Sequence, residues 1–475
     1  MKKENQIPKS VMVIALVIVF GAMAPLLDST MMNIAINAVV KDFNSSVTTV
    51  QWTVTCYLLA TGVAVPFSSW LLNKFDGKFV FMAGELLFGI GSLLSAMAPS
   101  VQLLISARLV QGFAGGLIMP LLTVLLVRTS GTEVMGQMMA IVGVPMILGP
   151  LVGPIIGGVI IKLVSWRWIF WVNVPVVLIS IALIAWKMPH YPAQDKQAKM
   201  DVIGIMCLVL ASSALIYGIV NAAHSASFTN QTSVMYMGLG LAMFVLYIIW
   251  AVIRQERAVL PLNLFKFSSF DGASLGLFLA GTVLNGAMLL LPLYFQDIQK
   301  MSVLTAALAL VPQGLGMMIS RGVTGRLTDQ IGAKYVVLAS VAITFIGTLP
   351  FYWFDQHTAY WLIAIVLLVR GMGAGGIIMP LMADAYTGMR VDQVPAATIG
   401  ARIIQNIGSA FGSALVTTVV TSYITSQVQQ VKASALASQA VAIRTTAFQN
   451  GFLLVSIAAL VIMLPTLLLT NKMKA

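Results

Sequence analysis

Apolar residues along this chain come in blocks of about 20, the number a helix needs to cross the hydrocarbon of a bilayer, and polar residues gather in the short joints between them. The blocks predict fourteen spanning helices, at 11–40, 49–72, 79–98, 101–127, 136–162, 167–186, 202–223, 233–253, 271–296, 302–320, 335–354, 359–386, 394–423 and 447–469. The first block reaches Val40, too far for a cleaved leader, so it is read as a retained span. An even number of spans leaves both ends on one side of the membrane. Eighteen lysines and arginines fall in joints on that side and six on the other, the bias that marks the cytoplasmic face.

The pattern also repeats. Gly115-Gly116-Leu117-Ile118-Met119-Pro120-Leu121 returns as Gly375-Gly376-Ile377-Ile378-Met379-Pro380-Leu381, and the joint at 69–78 is echoed at 325–334. The offsets, 260 and 256 positions, are nearly equal, which means two related halves. The expected architecture is an all-α polytopic membrane protein with a six-helix bundle at 1–187, two additional helices at 188–254 and a second six-helix bundle at 255–475.

Composition narrows the class. With 59% hydrophobic and 9% charged residues, and a mean hydropathy of +0.95, the chain lies far outside the range of soluble domains. The net charge of +12 is spread through short joints, so it reads as a topology signal rather than a nucleic-acid surface. Cys56 and Cys207 both sit in apolar runs and offer neither a disulfide framework nor a metal site. His190, His224 and His357 are far apart without ligand spacing, and no phosphate-cradling glycine loop ends in Lys-Ser or Lys-Thr. An enzyme, a resident metal and a nucleotide-driven pump are all poor fits, and no cofactor is expected.

What remains is polarity inside the spans, costly in lipid and therefore the place to look for function. Asp28 lies about 25 Å above the inner edge of the first block and Arg108 about 10 Å below the outer edge of the fourth. In a core of about 30 Å those depths meet within one long side chain. Gln111 follows one turn after Arg108. Two readings stay open: an ion pair that holds helices in register, or a carboxyl that takes and releases a proton as Arg108 approaches and withdraws. Glu85, Asp384, Arg402 and Arg370 are secondary charged candidates, with Arg402 the expected partner of Asp384. Asn33, Tyr57, Asn285, Tyr294, Gln296, Gln313, Gln405 and Asn406 are candidates to line a substrate pocket. Gly149, Gly153 and Gly157, four residues apart and interleaved with Pro150 and Pro154, form a ridge without side chains, followed by Gly158. Such a ridge is either a plain packing seam or a bent, sliding contact.

Several of these stretches, in order, resemble the major facilitator superfamily and within it the fourteen-helix drug:proton antiporters. Leu27-Asp28-Ser29-Thr30-Met31-Met32-Asn33 is similar to that branch's first-helix motif, and Arg108-Leu109-Val110-Gln111-Gly112 to its helix-four motif. Gly149, Gly153, Pro154, Gly157 and Gly158 resemble the antiporter motif of helix five, and Ser165-Trp166-Arg167-Trp168 with Asn173-Val174-Pro175 the entry to helix six. Leu291-Pro292-Leu293-Tyr294-Phe295-Gln296 looks like the opening of the second half. The resemblance implies a monomeric, proton-driven exporter of hydrophobic, cationic or amphipathic small molecules in the cell membrane, working by alternating access with a substrate cavity between its halves. In it Asp28, Arg108 and Gln111 couple to protons. The alternatives are an exporter dedicated to one metabolite or lipid precursor and a non-transporting receptor or scaffold. One departure stands out. The family's inner-loop acid is Asn73 here, followed by Lys74 and a displaced Asp76, whereas the second copy keeps Gly325, Asp329 and Gly332. The resemblance implies that this loop latches the outward-facing state; in the first half the latch is either weaker or carried by Asp76 instead.

Overall fold

The structure is a computed structural model that describes residues 8–130, 138, 149, 152–153, 156–193, 197, 199–390, 393–430 and 433–471. All of its regular elements among the described residues are helices. Twelve of them are long and apolar enough to cross a membrane, and they coincide with twelve of the fourteen sequence blocks. The second block holds the shorter apolar helix Trp52–Ala64, and most of the fifth lies outside the described residues, so the count accommodates the fourteen expected spans.

Proline sets the interruptions. The first span is two helices, α1 (Lys9–Gly21) and α2 (Met23–Asp42). Pro25 has no N–H for the Gly21 carbonyl, so the ladder breaks there, and the Ala22 amide turns back to Ile18 and Phe20. The sequence predicts one continuous second span; it ends instead at α3 (Val47–Ala64), resuming after Pro66 as α4 (Phe67–Lys74). α5 (Gly77–Ala96) starts at Asp76, whose carboxylate accepts from the Lys78 amide at 2.8 Å. α6 (Val101–Ser130), the helical residues 156–163 and, after the one-turn helix Trp168–Trp171, α7 (Asn173–Lys187) follow.

The chain divides into two compact units. The first comprises residues 1–209, 248–264 and 388–402, and the second 210–247, 265–387 and 403–475. Near the outer ends of its helices the first unit buries a cluster that includes Met31, Met32, Val39, Leu104, Trp166, Ile169 and Phe170. The second is pinned by aromatic contacts around Tyr294, Phe351 and Phe452, the last two stacked at 4.6 Å. Large apolar side chains elsewhere point outward, Trp186 at 75% and Ile253 at 69% exposed, which only a lipid surrounding makes favourable.

Candidate proton site around Asp28

Glycine brings five helices close enough to converge on one carboxyl. A side chain at Gly91 on α5 would meet the Gln111 backbone on α6 at 2.9 Å, and one at Gly112 would collide with the Tyr57 backbone on α3. These close approaches bring Asp28, Ser92, Arg108, Gln111 and Asn173 into one cluster. Asp28, 1% exposed on α2, pairs through Oδ2 with Nη1 of Arg108, itself 1% exposed. Its Oδ1 accepts from Nε2 of Gln111 at 3.0 Å and from Nδ2 of Asn173 at 3.1 Å. Ser92 accepts from the same two amides, at 3.2 and 3.0 Å, and donates to the Phe170 carbonyl at 2.9 Å.

Arg108 has further holds. Its Nη1 donates to Oε1 of Gln111 at 2.7 Å, its Nε donates to the Thr53 carbonyl at 3.3 Å, and its guanidinium carbon lies 4.2 Å from the Tyr57 ring centre. Isolated charges at this depth would cost many kcal/mol, and the network compensates both. Three of the holds on Arg108, those from Gln111, the Thr53 carbonyl and the Tyr57 face, are independent of Asp28.

The glycine ridge lies against the same helix. Thr30 donates to the Gly149 carbonyl at 3.2 Å, a side chain at Gly149 would meet Leu26 at 3.1 Å, and one at Gly157 would meet Met31 at 3.4 Å. Gly153 faces Thr30 and Leu27, and Gly158 faces open space. Pro154 lies outside the described residues, and so does the side chain of Asn33.

The remaining candidates are dispersed. Glu85 is fully buried on α5, and neither of its oxygens has a hydrogen-bond partner among the described residues. Asp384, in the second unit, accepts from the Thr470 amide at 3.1 Å and from the Thr470 hydroxyl. Arg402, 9% exposed, belongs to the first unit. Arg370 is fully buried, and none of its guanidinium nitrogens finds a hydrogen-bond partner among the described residues. Of the pocket candidates, Tyr57 joins the Asp28 cluster. Asn285 donates to Ser409 at 2.8 Å, Tyr294 donates to the Asp355 carbonyl at 3.1 Å within the aromatic cluster, and Gln296 donates back to Pro292 at 3.2 Å. Gln313 is buried with its Oε1 unpartnered among the described residues, and Gln405 and Asn406 are half-buried.

At the inner loop, Asp76 caps α5 and also receives His190 Nδ1 at 3.1 Å and the Tyr191 amide at 3.4 Å. Burial raises its affinity for a proton, but the Lys78 amide, His190 and the Tyr191 amide outweigh it, holding the carboxyl below its ordinary value of 3.8. Asn73 Oδ1 has no partner among the described residues, and Lys74 lies 5.2 Å from the Trp70 ring centre. In the second copy Gly325 is buried, Asp329 is half-buried, and Gly332 ends its helix with φ at 85°, a conformation that favours glycine. Sequence reasoning assigned no role to Ser92 or Asn173. For Ser92 the signal was a polar residue within an otherwise apolar block; Asn173 also stood in the stretch that resembles the entry to helix six.

Comparison with known proteins agrees with this architecture. The family description of the Major Facilitator Superfamily matches residues 18–413. The chain is 31% identical over 386 residues to the multidrug resistance protein B homolog of Mycobacterium tuberculosis, covering 81% of this chain and 71% of that protein. It is 27% identical over 377 residues to the multidrug export protein EmrB of Haemophilus influenzae, covering 78% and 73%. The fold matches that of the human organic anion transporter MFSD10 with a TM-score of 0.64, at 14% identity, over 96% of this chain and 100% of the other. With its apolar spans and a family match across more than four-fifths of its length, this multi-pass membrane protein belongs to the Major Facilitator Superfamily.

Proposed function

We propose that this chain is a drug:proton antiporter, exporting hydrophobic or cationic small molecules across the cell membrane by alternating access, with no cofactor beyond the proton gradient. The observation that carries the reading is Asp28, a fully buried carboxyl held at membrane depth by Arg108, Gln111 and Asn173. Asp28 is the proton carrier. Arg108 is its modulator, and Gln111 and Asn173 orient it. The relatives named for multidrug resistance and export support a broad rather than dedicated substrate range. In this reading residues 1–187 and 255–475 are the two moving halves and 188–254 an inserted pair.

The test is transport in vesicles holding purified protein and a pH-sensitive dye. Imposing a proton gradient is expected to drive a lipophilic cationic dye uphill, with proton movement in the opposite direction. D28N is expected to insert normally and to abolish that driven movement. Uphill transport by D28N at the wild-type rate refutes the assignment, and transport of one compound alone favours a dedicated exporter.

A further inference from the structure

Seven residues on a helix make nearly two turns, about 10 Å along its axis, and return to the same face. Stepping inward by seven from the Asp28 cluster reaches Gly21 from Asp28 on the first span, Glu85 from Ser92 on α5, and Ser180 from Asn173 on α7. These three residues also meet. A side chain at Gly21 would lie 2.9 Å from Glu85 Oε1 and 3.0 Å from Ser180 Oγ. The polar cluster therefore has a second storey on the same three helices, with α5 and α1 both packed along α7.

The storey differs from the one above in having no cation among the described residues. The charged groups on the elements packed against α5 are Arg108 in the upper cluster, Arg128 toward the inner end of α6, Lys74 on α4 and Lys187 on α7; Lys9 is on α1, and Lys78 on α5 itself. Lys78 is bound to the Ala185 carbonyl at 2.9 Å, Lys187 lies over the Trp186 ring and Lys74 over Trp70. Ser180 Oγ flanks Glu85, and the space above Gly21 is closed by Phe81. An anion at Glu85 meets no counter-ion among the described residues, so its charge there is uncompensated. Nothing in the Asp28 network uses Glu85, and a purely structural role has no need of a buried acid with no cation beside it among the described residues.

We propose that Glu85 is a second proton-binding site, an inner station that exchanges its proton with Asp28 through water and the Ser92 and Ser180 hydroxyls. The transfer moves one proton. Asp28 acid becomes carboxylate, stabilised by Arg108, as Glu85 carboxylate becomes acid, and Glu85 later releases the proton toward the inner face near Lys78. This inference rests on the antiporter reading and extends it to a route.

The test uses purified full-length protein in lipid vesicles, comparing wild type, D28N, E85Q and E85D. Two transport readouts are taken: dye movement driven by a pH gradient, and dye-for-dye exchange without one. E85Q copies the neutral acid in shape, so exchange is expected to stay within about twofold while driven movement falls at least about tenfold. E85D is expected to keep driven movement with a displaced pH profile. Infrared difference spectra supply a readout independent of transport: wild type at neutral pH is expected to show a protonated-carboxyl band that E85Q lacks. Driven movement in E85Q equal to wild type, or absence of that band, overturns the proposal. Should E85Q fail to fold, a shift of the band in E85D upholds the assignment and an unshifted spectrum overturns it. If D28N also drives transport normally, the antiporter reading itself has failed, and the infrared band still decides whether Glu85 carries a proton.

Discussion

Arg108 and Arg370 hold similar stations in the two repeats, each a few residues before the shared Gly-Gly stretch, and both are buried. Their surroundings are opposite. Arg108 is matched by an acid, an amide, a carbonyl and an aromatic face. None of the Arg370 guanidinium nitrogens has a hydrogen-bond partner among the described residues, and Gly347 lets a neighbouring helix approach its backbone. The difference teaches that the repeat preserved a scaffold while the compensated charge was built into one copy. A helix duplicated with its glycines keeps its packing, whereas an acid must be supplied from another helix and need not be duplicated.

That contrast can be broken by substitution. Arg108→Ala strands Asp28 and is expected to destabilise the protein by about 3–5 kcal/mol, read as thermal unfolding in detergent. Adding Asp28→Asn should return at least about 1 kcal/mol of the loss, since the uncompensated charge is then gone; purely additive effects would mean the two do not share an interaction. Arg370→Met is expected to be neutral or to stabilise by about 1–4 kcal/mol. A loss comparable to that of Arg108→Ala would show that Arg370 is compensated after all and erase the contrast.

The inner loops offer a sharper, smaller comparison. Lys78 binds the Ala185 carbonyl at 2.9 Å and Lys334 binds the Leu467 carbonyl at 3.0 Å, so here both copies kept the same contact. Lys78→Met and Lys334→Met should therefore cost similar amounts, about 1 kcal/mol or less, as neighbours of exposed groups. Asp76 adds a pH term to the first copy. Its carboxyl sits below 3.8 in the folded protein, so its stabilisation is present at neutral pH and is lost as the pH falls through 3.8 and lower. Asp76→Asn should remove about 1 kcal/mol at pH 7 and flatten that acid limb, measured by unfolding across pH.

The meeting of Asp28, Arg108 and Gln111 was legible in the chain because helical rise is fixed and opposite charges at one membrane depth must pair. Ser92 and Asn173 were not, since a serine or an asparagine costs too little in a span to stand out, and the rotation that turns them toward Asp28 is decided by which glycines touch which backbones. The break in the second span at Pro66 had a visible cause, but hydropathy runs through it unchanged. Glu85 was visible as an acid in a span. Its isolation was not, because what surrounds a side chain is a property of neighbouring helices rather than of its own.

The interruption at Ala22 falls between the heights of the two buried acids. With the ladder open at that point, Asp28 belongs to α2, while Gly21, seated against Glu85, belongs to α1. The two carboxyl environments therefore rest on separate hydrogen-bonded segments of one span, which a single missing proline N–H is enough to divide.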